Sequence, residues 1–264
     1  MSGFRNPLDG LDVYRALEEK LKKRGGPVLV TGLADAAKGQ FAEAVLAAER
    51  PLKLYVTYDE LRARELYEDL LSFGADAMFY PAKDLLFFAA DVRSNELSAV
   101  RIDVRRRIAE CGSGFVVTTI DALMDKLETP ERFLRRCLRI HASDRLDLGE
   151  TAKQLAALGY ERSAEVDGRG QFSVRGGILD VFPVTEETPV RIELWDDEID
   201  SMRRFDPESQ RSTEGLESVH IYPAREELLG GSDSFLRYFS GDKSLLILDE
   251  PARLLERARE VERE

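Results

Sequence analysis

The sequence is poor in the residues from which most catalytic and metal centres are built: 264 residues contain two cysteines, two histidines and one tryptophan. Cys111 and Cys137 lie far apart without a CxxC partner, and only His141 and His220 could join them. That excludes a disulfide framework and a recognisable zinc site, and both thiols read as core residues. No GxSxG elbow occurs and neither histidine sits in a nucleophile–base motif, so both histidines read as strand residues. No apolar run approaches the ~20 residues that span a bilayer, and the first ten residues lack the apolar core of a signal peptide. A membrane protein is therefore not expected, and the cytoplasm is. Positive charge is also short: 38 Lys and Arg stand against 50 Asp and Glu, a net charge of −12. Such a field opposes a sequence-independent grip on nucleic acid phosphates.

What is present is enough apolar material, 43% of residues, to bury the core of one large or two ordinary domains. Through residue 127 short apolar runs alternate with amphipathic stretches. Pro27 to Gly32 reads as a buried strand, and Phe41, Val45 and Ala48 recur at helical spacing after it. Leu52 to Thr57 is a second strand, followed by a helix carrying Leu66, Leu70 and Phe73 and closed by Gly74. Ala77 to Tyr80, a helix striped by Leu97, Val100, Val104 and Ile108, and the strand Phe115 to Thr119 continue the rhythm. Such alternation predicts a parallel sheet with helices on its faces.

Near Thr129-Pro130 the pattern changes. After one amphipathic helix, about Leu148 to Leu158, short strands follow between turn signals: Tyr160 to Val166, Gln171 to Arg175, Ile178 to Phe182 and Val190 to Trp195. An antiparallel sheet is expected. Beyond Tyr222-Pro223 the first style returns with the apolar strand Leu245 to Leu248 and a charged helix from Arg253. The predicted architecture is α/β: a parallel-sheet domain of residues 1–127 and 219–264, interrupted by an α+β insert at 128–218. The final helix shows no stop signal before Glu264, so a longer natural chain is expected.

Two stretches resemble the halves of a nucleotide site. Gly32 to Gly39 stands between strand and helix, with the first glycine and the lysine, Lys38, of a phosphate-binding loop at the right spacing. Ala37 replaces the second glycine, adding a Cβ where the backbone must wrap phosphate, and Gly39 replaces the hydroxyl residue that ligates Mg²⁺. Leu245 to Glu250 delivers the acidic pair Asp249 and Glu250 at a strand end, where a metal and a water could be held. The same pair before Pro251 also serves as a helix start. A shape without its ligand is the expectation, and no cofactor or metal follows. The acidic run Asp196, Asp197, Glu198 and Asp200 fits no calcium loop and reads as a solvated turn.

Arginine is concentrated in the insert. Arg132, Arg135, Arg136, Arg139 and Arg145 crowd one stretch, and Arg162, Arg169 and Arg175 lie on or beside strands, with Phe172 nearby. A planar guanidinium suits recognition of a partner's carboxylates, and arginine beside an aromatic is a common interface anchor.

Gly170 to Pro183, Val190 to Ser201 and Arg204 to Ser212, with Val117 to Leu123 and Leu158-Gly159-Tyr160 in order before them, resemble the N-terminal, UvrB-like region of the bacterial transcription-repair coupling factors. The likeness covers essentially the whole chain. It implies a RecA-like domain that has lost ATPase function and an inserted domain that docks on UvrA. It also maps the UvrA-facing arginines onto the strand with Phe172, Val174 and Arg175, with Arg162 preceding and Arg169 beside it. A UvrB-type aromatic hairpin has no room between Tyr80 and Glu96, where only Phe87 and Phe88 occur. RNA polymerase binding and DNA translocation are implied for downstream domains. The competing expectation is a nucleotide-dependent DNA repair ATPase, and position 39 discriminates the two.

Overall fold

The computed structural model describes residues 7–23, 26–83, 91–226 and 230–263. In chain order its helices are α1 (Asp12–Lys22), α2 (Asp35–Ala44), α3 (Glu60–Ser72), α4 (Asp91–Cys111), α5 (Ile120–Met124), α6 (Pro130–Arg135), α7 (Leu148–Ala157) and α8 (Pro251–Val261). The strands of the first half are β1 (Leu52–Thr57), β2 (Ala77–Tyr80), β3 (Gly114–Thr119), β4 (Lys126–Leu127), β5 (Leu138–His141), β6 (Glu161–Arg162) and β7 (Gln171–Arg175). Those of the second are β8 (Ile178–Val181), β9 (Val190–Trp195), β10 (Glu198–Phe205), β11 (Ser212–Gly215), β12 (Ser218–Ile221), β13 (Asp233–Ser234) and β14 (Ser244–Leu248). Several helix starts are written in the sequence: Asp59 accepts from the Arg62 N–H at 2.8 Å, Asp147 from the Glu150 N–H at 2.9 Å, and Thr129 caps α6 with Pro130 behind it. Each satisfies an amide that the first helical turn leaves without a partner.

The chain divides into two compact units, residues 1–82, 110–125 and 238–264, and residues 83–109 and 126–237. The first holds a parallel sheet in the order β14-β1-β3-β2. Every residue of β1 and β2 is buried, as a parallel sheet between helices requires. Ala63, Leu66 and Leu70 of α3 pack on Tyr55, Phe79, Phe115 and Val117. Tyr14 of α1 packs with Val45 and Leu46.

The expected strand at Pro27 to Gly32 does not form. Residues 27–33 pair with no strand, Leu29 is 77% exposed, and the segment and β14 both line a cavity of about 950 Å³. A ladder needs neighbouring backbones at about 4.8 Å, and that segment makes no ladder pair with β14. The expected helix stripe on α4 is also wrong in part, because Val100 is exposed while Arg101 and Arg105 are buried. Cys111, expected in the core, is exposed, and Cys137 is half-buried.

A buried lysine in β1 gives this unit a pH signature. The Lys53 ammonium donates to the carbonyl of Ala42 at 2.8 Å and to that of Glu43, at the C-terminal end of α2, and burial pulls its pKa from 10.5 down to about 8. Below pH 8 the group is charged in both folded and unfolded chains, and the cost of burying that charge is fully present. Between 8 and 10.5 the unfolded chain binds the proton that the folded chain releases, so stability rises with pH by up to about 3 kcal/mol. Urea unfolding across that range should show the rise, and Lys53→Met should flatten it; the same slope in both proteins would refute the assignment.

The second unit is built on a six-stranded sheet in the order β11-β10-β9-β8-β7-β6. All pairs are antiparallel except β6 with β7, which is parallel. The strand expected over Tyr160 to Val166 shrinks to two residues. Phe172, Leu179, Val181, Val190, Ile192 and Met202 line the core face, with Phe133, Ile140, Tyr160 and Tyr222 packed on it. Both histidines sit on strands, His141 on β5 and His220 on β12. Among the described residues no helix is long and apolar enough to cross a membrane.

Candidate partner-docking face

The other face of the six-stranded sheet is polar, and its geometry starts from two glycines. Arg175 pairs with Ile178 across the β7–β8 turn, leaving Gly176 and Gly177 as the two turn residues. Gly176 has φ of +59°, and a Cβ on Gly177 would stand 2.9 Å from the Leu194 carbonyl oxygen. Only glycine permits the first without strain and the second without displacing β9. The turn therefore fixes where Arg175 leaves the sheet.

Register then sets its neighbours. Ser173, Asp180 and Arg191 stand in one row across β7, β8 and β9. Asp180 is 1% exposed. Its carboxylate accepts from Arg191 through Nε at 2.7 Å and Nη2 at 2.9 Å, and from Arg175 Nη2 at 3.0 Å. This two-pronged bond holds the Arg191 guanidinium above its ordinary pKa against the opposing effect of burial. Arg191 also lies over the Phe205 ring and donates to the Gln210 carbonyl. Gln210 itself sits at φ of +59° in a turn whose Asp206 carboxylate accepts from the Ser209 amide and hydroxyl. Asp180, Arg191 and Gln210 are thus the residues that position Arg175. The reading from sequence missed them, although all three lie within the stretches that carried the resemblance.

The other expected site residues are placed differently. Phe172 is 2% exposed and belongs to the core, so it cannot reach a partner. Arg162, expected among the same UvrA-facing arginines as Arg175, does not share its face: Arg162 lies opposite Phe172 and Glu161 opposite Gln171 in the parallel β6–β7 pair, so Arg162 shares the Phe172 side. It is exposed at the sheet edge, without an ion pair among the described residues. Arg169 is exposed and donates to the Glu186 carbonyl at 2.9 Å. Arg145 pairs with Asp197 at 3.3 Å and with Glu198. Phe87 and Phe88, in the stretch read as too short for an aromatic hairpin, lie outside the described residues.

In the first unit the two half-motifs do meet. Lys38 Nζ lies 2.8 Å from Asp249, 3.0 Å from Asp35 and 3.3 Å from Glu250, while Arg62 reaches Asp35 at 3.0 Å and Asp249 at 3.8 Å. Burial pulls the Lys38 ammonium down, but its hydrogen bonds to Asp249 and Asp35 outweigh this and hold it above its ordinary value. Two cations among three carboxylates leave a net negative cluster, a poor seat for phosphate. Gly32 has φ of +82°, and Gly39 is buried where a Cβ would meet Leu66 Cδ1 at 3.2 Å. Ala37 also lies within α2 and is not free to wrap a ligand. Among the described residues no group of His, Cys, Asp and Glu is placed to hold a metal.

Residues 138–226 match the family described as UvrB interaction domain. The transcription-repair-coupling factor of Bacillus subtilis (strain 168) is 34% identical over 223 residues, 84% of this chain and 19% of that protein. Its counterpart in Staphylococcus aureus (strain bovine RF122 / ET3-1) is 33% identical over 203 residues, 76% of this chain and 17% of that protein. The chain belongs, as a UvrB-like region, to the transcription-repair-coupling factor family. It spans less than a fifth of the length of these relatives. The matched interaction domain takes in β5 through β12, and so contains the whole Arg175–Asp180–Arg191 arrangement.

Proposed function

We propose that this chain is a non-catalytic recruitment module of transcription-coupled nucleotide excision repair, docking UvrA through the Arg175 face of its six-stranded sheet. The observation that carries the reading is the coincidence of the UvrB interaction domain match with that sheet. The docking domain is assigned to residues 128–218, inserted in a degenerate RecA-like domain of residues 1–127 and 219–264. Contacts with RNA polymerase and DNA are assigned to parts of the longer relatives outside the matched region. A half-exposed guanidinium above a buried, already neutralised carboxylate is available to a partner's acidic group without unfolding anything. Calorimetric titration of the chain with purified UvrA should give saturable binding; none at all would sink the reading.

The non-catalytic half rests on the acidic cluster around Lys38 and on Gly39. Mg-ATP should bind without measurable saturation, and Gly39→Ser should not change that, because the new side chain would press on Leu66 rather than face a metal. Saturable Mg-ATP binding abolished by Lys38→Ala would restore an ATPase reading.

A further inference from the structure

The second unit carries a patch of one charge that is not part of the six-stranded sheet. On α6, Arg132, Arg135 and Arg136 stand three and four residues apart, the spacing that shares one helix face. Phe133 turns into the core instead and stacks on Tyr222 at 5.1 Å. Tyr222 follows β12, whose Ile221 pairs with Leu138 at the start of β5, so α6 sits beside that end of the two-stranded β5–β12 ribbon. Along the ribbon Ile140 and Val219 are buried, and the other side bears Arg139 opposite His220, with His141 diagonal to His220. From Arg136 to Arg139 the backbone spans at most about 11 Å, within the joint reach of two arginine side chains.

All four arginines are exposed. Arg132, Arg135 and Arg139 make no ion pair among the described residues. Arg136 reaches Glu128 at 3.4 Å, a carboxylate already held by buried Arg105. The one exposed carboxylate on α6 is Glu131. Asp144 and Glu217 stand past the far end of the ribbon, where Asp144 accepts from the His141 amide at 2.7 Å. The net charge of −12 does not cancel this excess, because at physiological salt charges are screened over about 8 Å. A ligand on α6 therefore meets the local sign.

What the patch lacks selects its ligand. None of the exposed large apolar side chains among the described residues lies on α6 or on the ribbon. A protein partner is held by an apolar centre within a polar rim, and a single strand by aromatic rings that stack on its bases. A duplex backbone offers phosphates alone, which guanidinium forks match. We propose that α6 and the outer side of β5 form a weak contact for the phosphate backbone of duplex DNA, blind to sequence and to damage. It adds to the DNA contacts assigned above to the rest of the longer relatives, and it uses none of the residues assigned to UvrA docking. The choice of DNA over other duplexes rests on the repair reading.

Fluorescence anisotropy of a labelled, undamaged duplex of about 20 base pairs should show saturable binding in about 20 mM salt. If three phosphates are neutralised, the log–log salt slope is about −2.7, a loss of roughly 200-fold between 20 and 150 mM. Arg132→Ala, Arg135→Ala and Arg139→Ala combined should weaken duplex binding at least tenfold and flatten that slope. Tm should move by no more than about 2 °C, because the three side chains are exposed, and UvrA affinity should stay at the wild-type value. No duplex binding in about 20 mM salt, or wild-type duplex affinity in the triple variant, would overturn the inference and leave the docking reading standing. Tighter binding of a single strand or of duplex RNA would overturn it too, and polyglutamate that displaces the duplex at equal charge would assign the patch to an acidic protein segment. Joint loss of duplex and UvrA binding in the triple variant would move UvrA docking to α6 and overturn both.

Discussion

Replacing Arg105 by alanine should destabilise the second unit by about 3–5 kcal/mol, a fall in Tm of roughly 10 °C or more. Its side chain is wholly buried, with Nη2 3.3 Å from Glu128, Nη1 3.3 Å from Glu226, and the guanidinium 4.3 Å above the Phe133 ring. Arg101 Nε completes the core of the network on Glu226 at 2.7 Å, and Arg136 reaches Glu128 from the rim at 3.4 Å. Two buried guanidiniums face two buried carboxylates, with Arg136 and Lys83 reaching them from the rim, and removing Arg105 leaves a carboxylate underpaired in a poorly polarisable interior. Glu226 keeps Arg101, but Glu128 loses its buried partner. Burial already lifts the Glu128 pKa against the pull of Arg105 and Arg136. Without Arg105 it rises further, so folding takes up a proton and stability is gained as pH falls through the new value. The deficit of Arg105→Ala should therefore shrink on acidification, and Arg105→Met with Glu128→Gln should recover most of it, since no orphan charge remains. Thermal melts of the three proteins at two pH values decide; a single variant melting within about 2 °C of wild type would show that the network contributes little.

That network explains one limit of reading the chain as a string. On α4 the spacing of Leu97, Val100, Val104 and Ile108 proposes an apolar stripe, yet Val100 is exposed and Arg101 and Arg105 are buried. Their partners Glu128 and Glu226 lie 23 and 121 residues from Arg105, and nothing local announces them. Strands flanked by turns were legible, because β1, β7, β8 and β9 bury whole runs or alternate residues and carry glycine or aspartate near their ends, whereas β14 was legible from its apolar run although Leu246 and Leu248 are exposed. Residues 27–33 have the apolar composition of a strand but no ladder partner, which composition does not reveal. The same holds for β6, where turn signals predicted a strand and only register could show it running parallel to β7 with Arg162 turned away from Arg175. The halves of the nucleotide motif were legible as halves. That Lys38 is spent on Asp35, Asp249 and Glu250 follows from how the ends of α2 and β14 meet.

The register of β6 also separates two arginines that composition treats alike. Arg175→Ala should weaken UvrA binding about 30-fold, the usual cost, near 2 kcal/mol, of truncating one side of a desolvated arginine–carboxylate contact. Folding should scarcely notice, because Asp180 keeps both bonds from Arg191 when Arg175 is gone, and a half-exposed ion pair contributes about 1 kcal/mol or less. Arg162→Ala should bind within about threefold of wild type, since that side chain leaves the sheet on the Phe172 side at the edge. Arg191→Ala supplies the contrast: it strips Asp180 of its two-pronged partner, frees Gln210, and should lower both Tm and UvrA affinity. Charge alone predicts equal losses for Arg162 and Arg175, whereas the sheet predicts a difference of about tenfold between them. Equal losses in those two variants, measured by calorimetry on proteins with matched melting curves, would place the docking surface on the β6 edge instead of the Arg175 face.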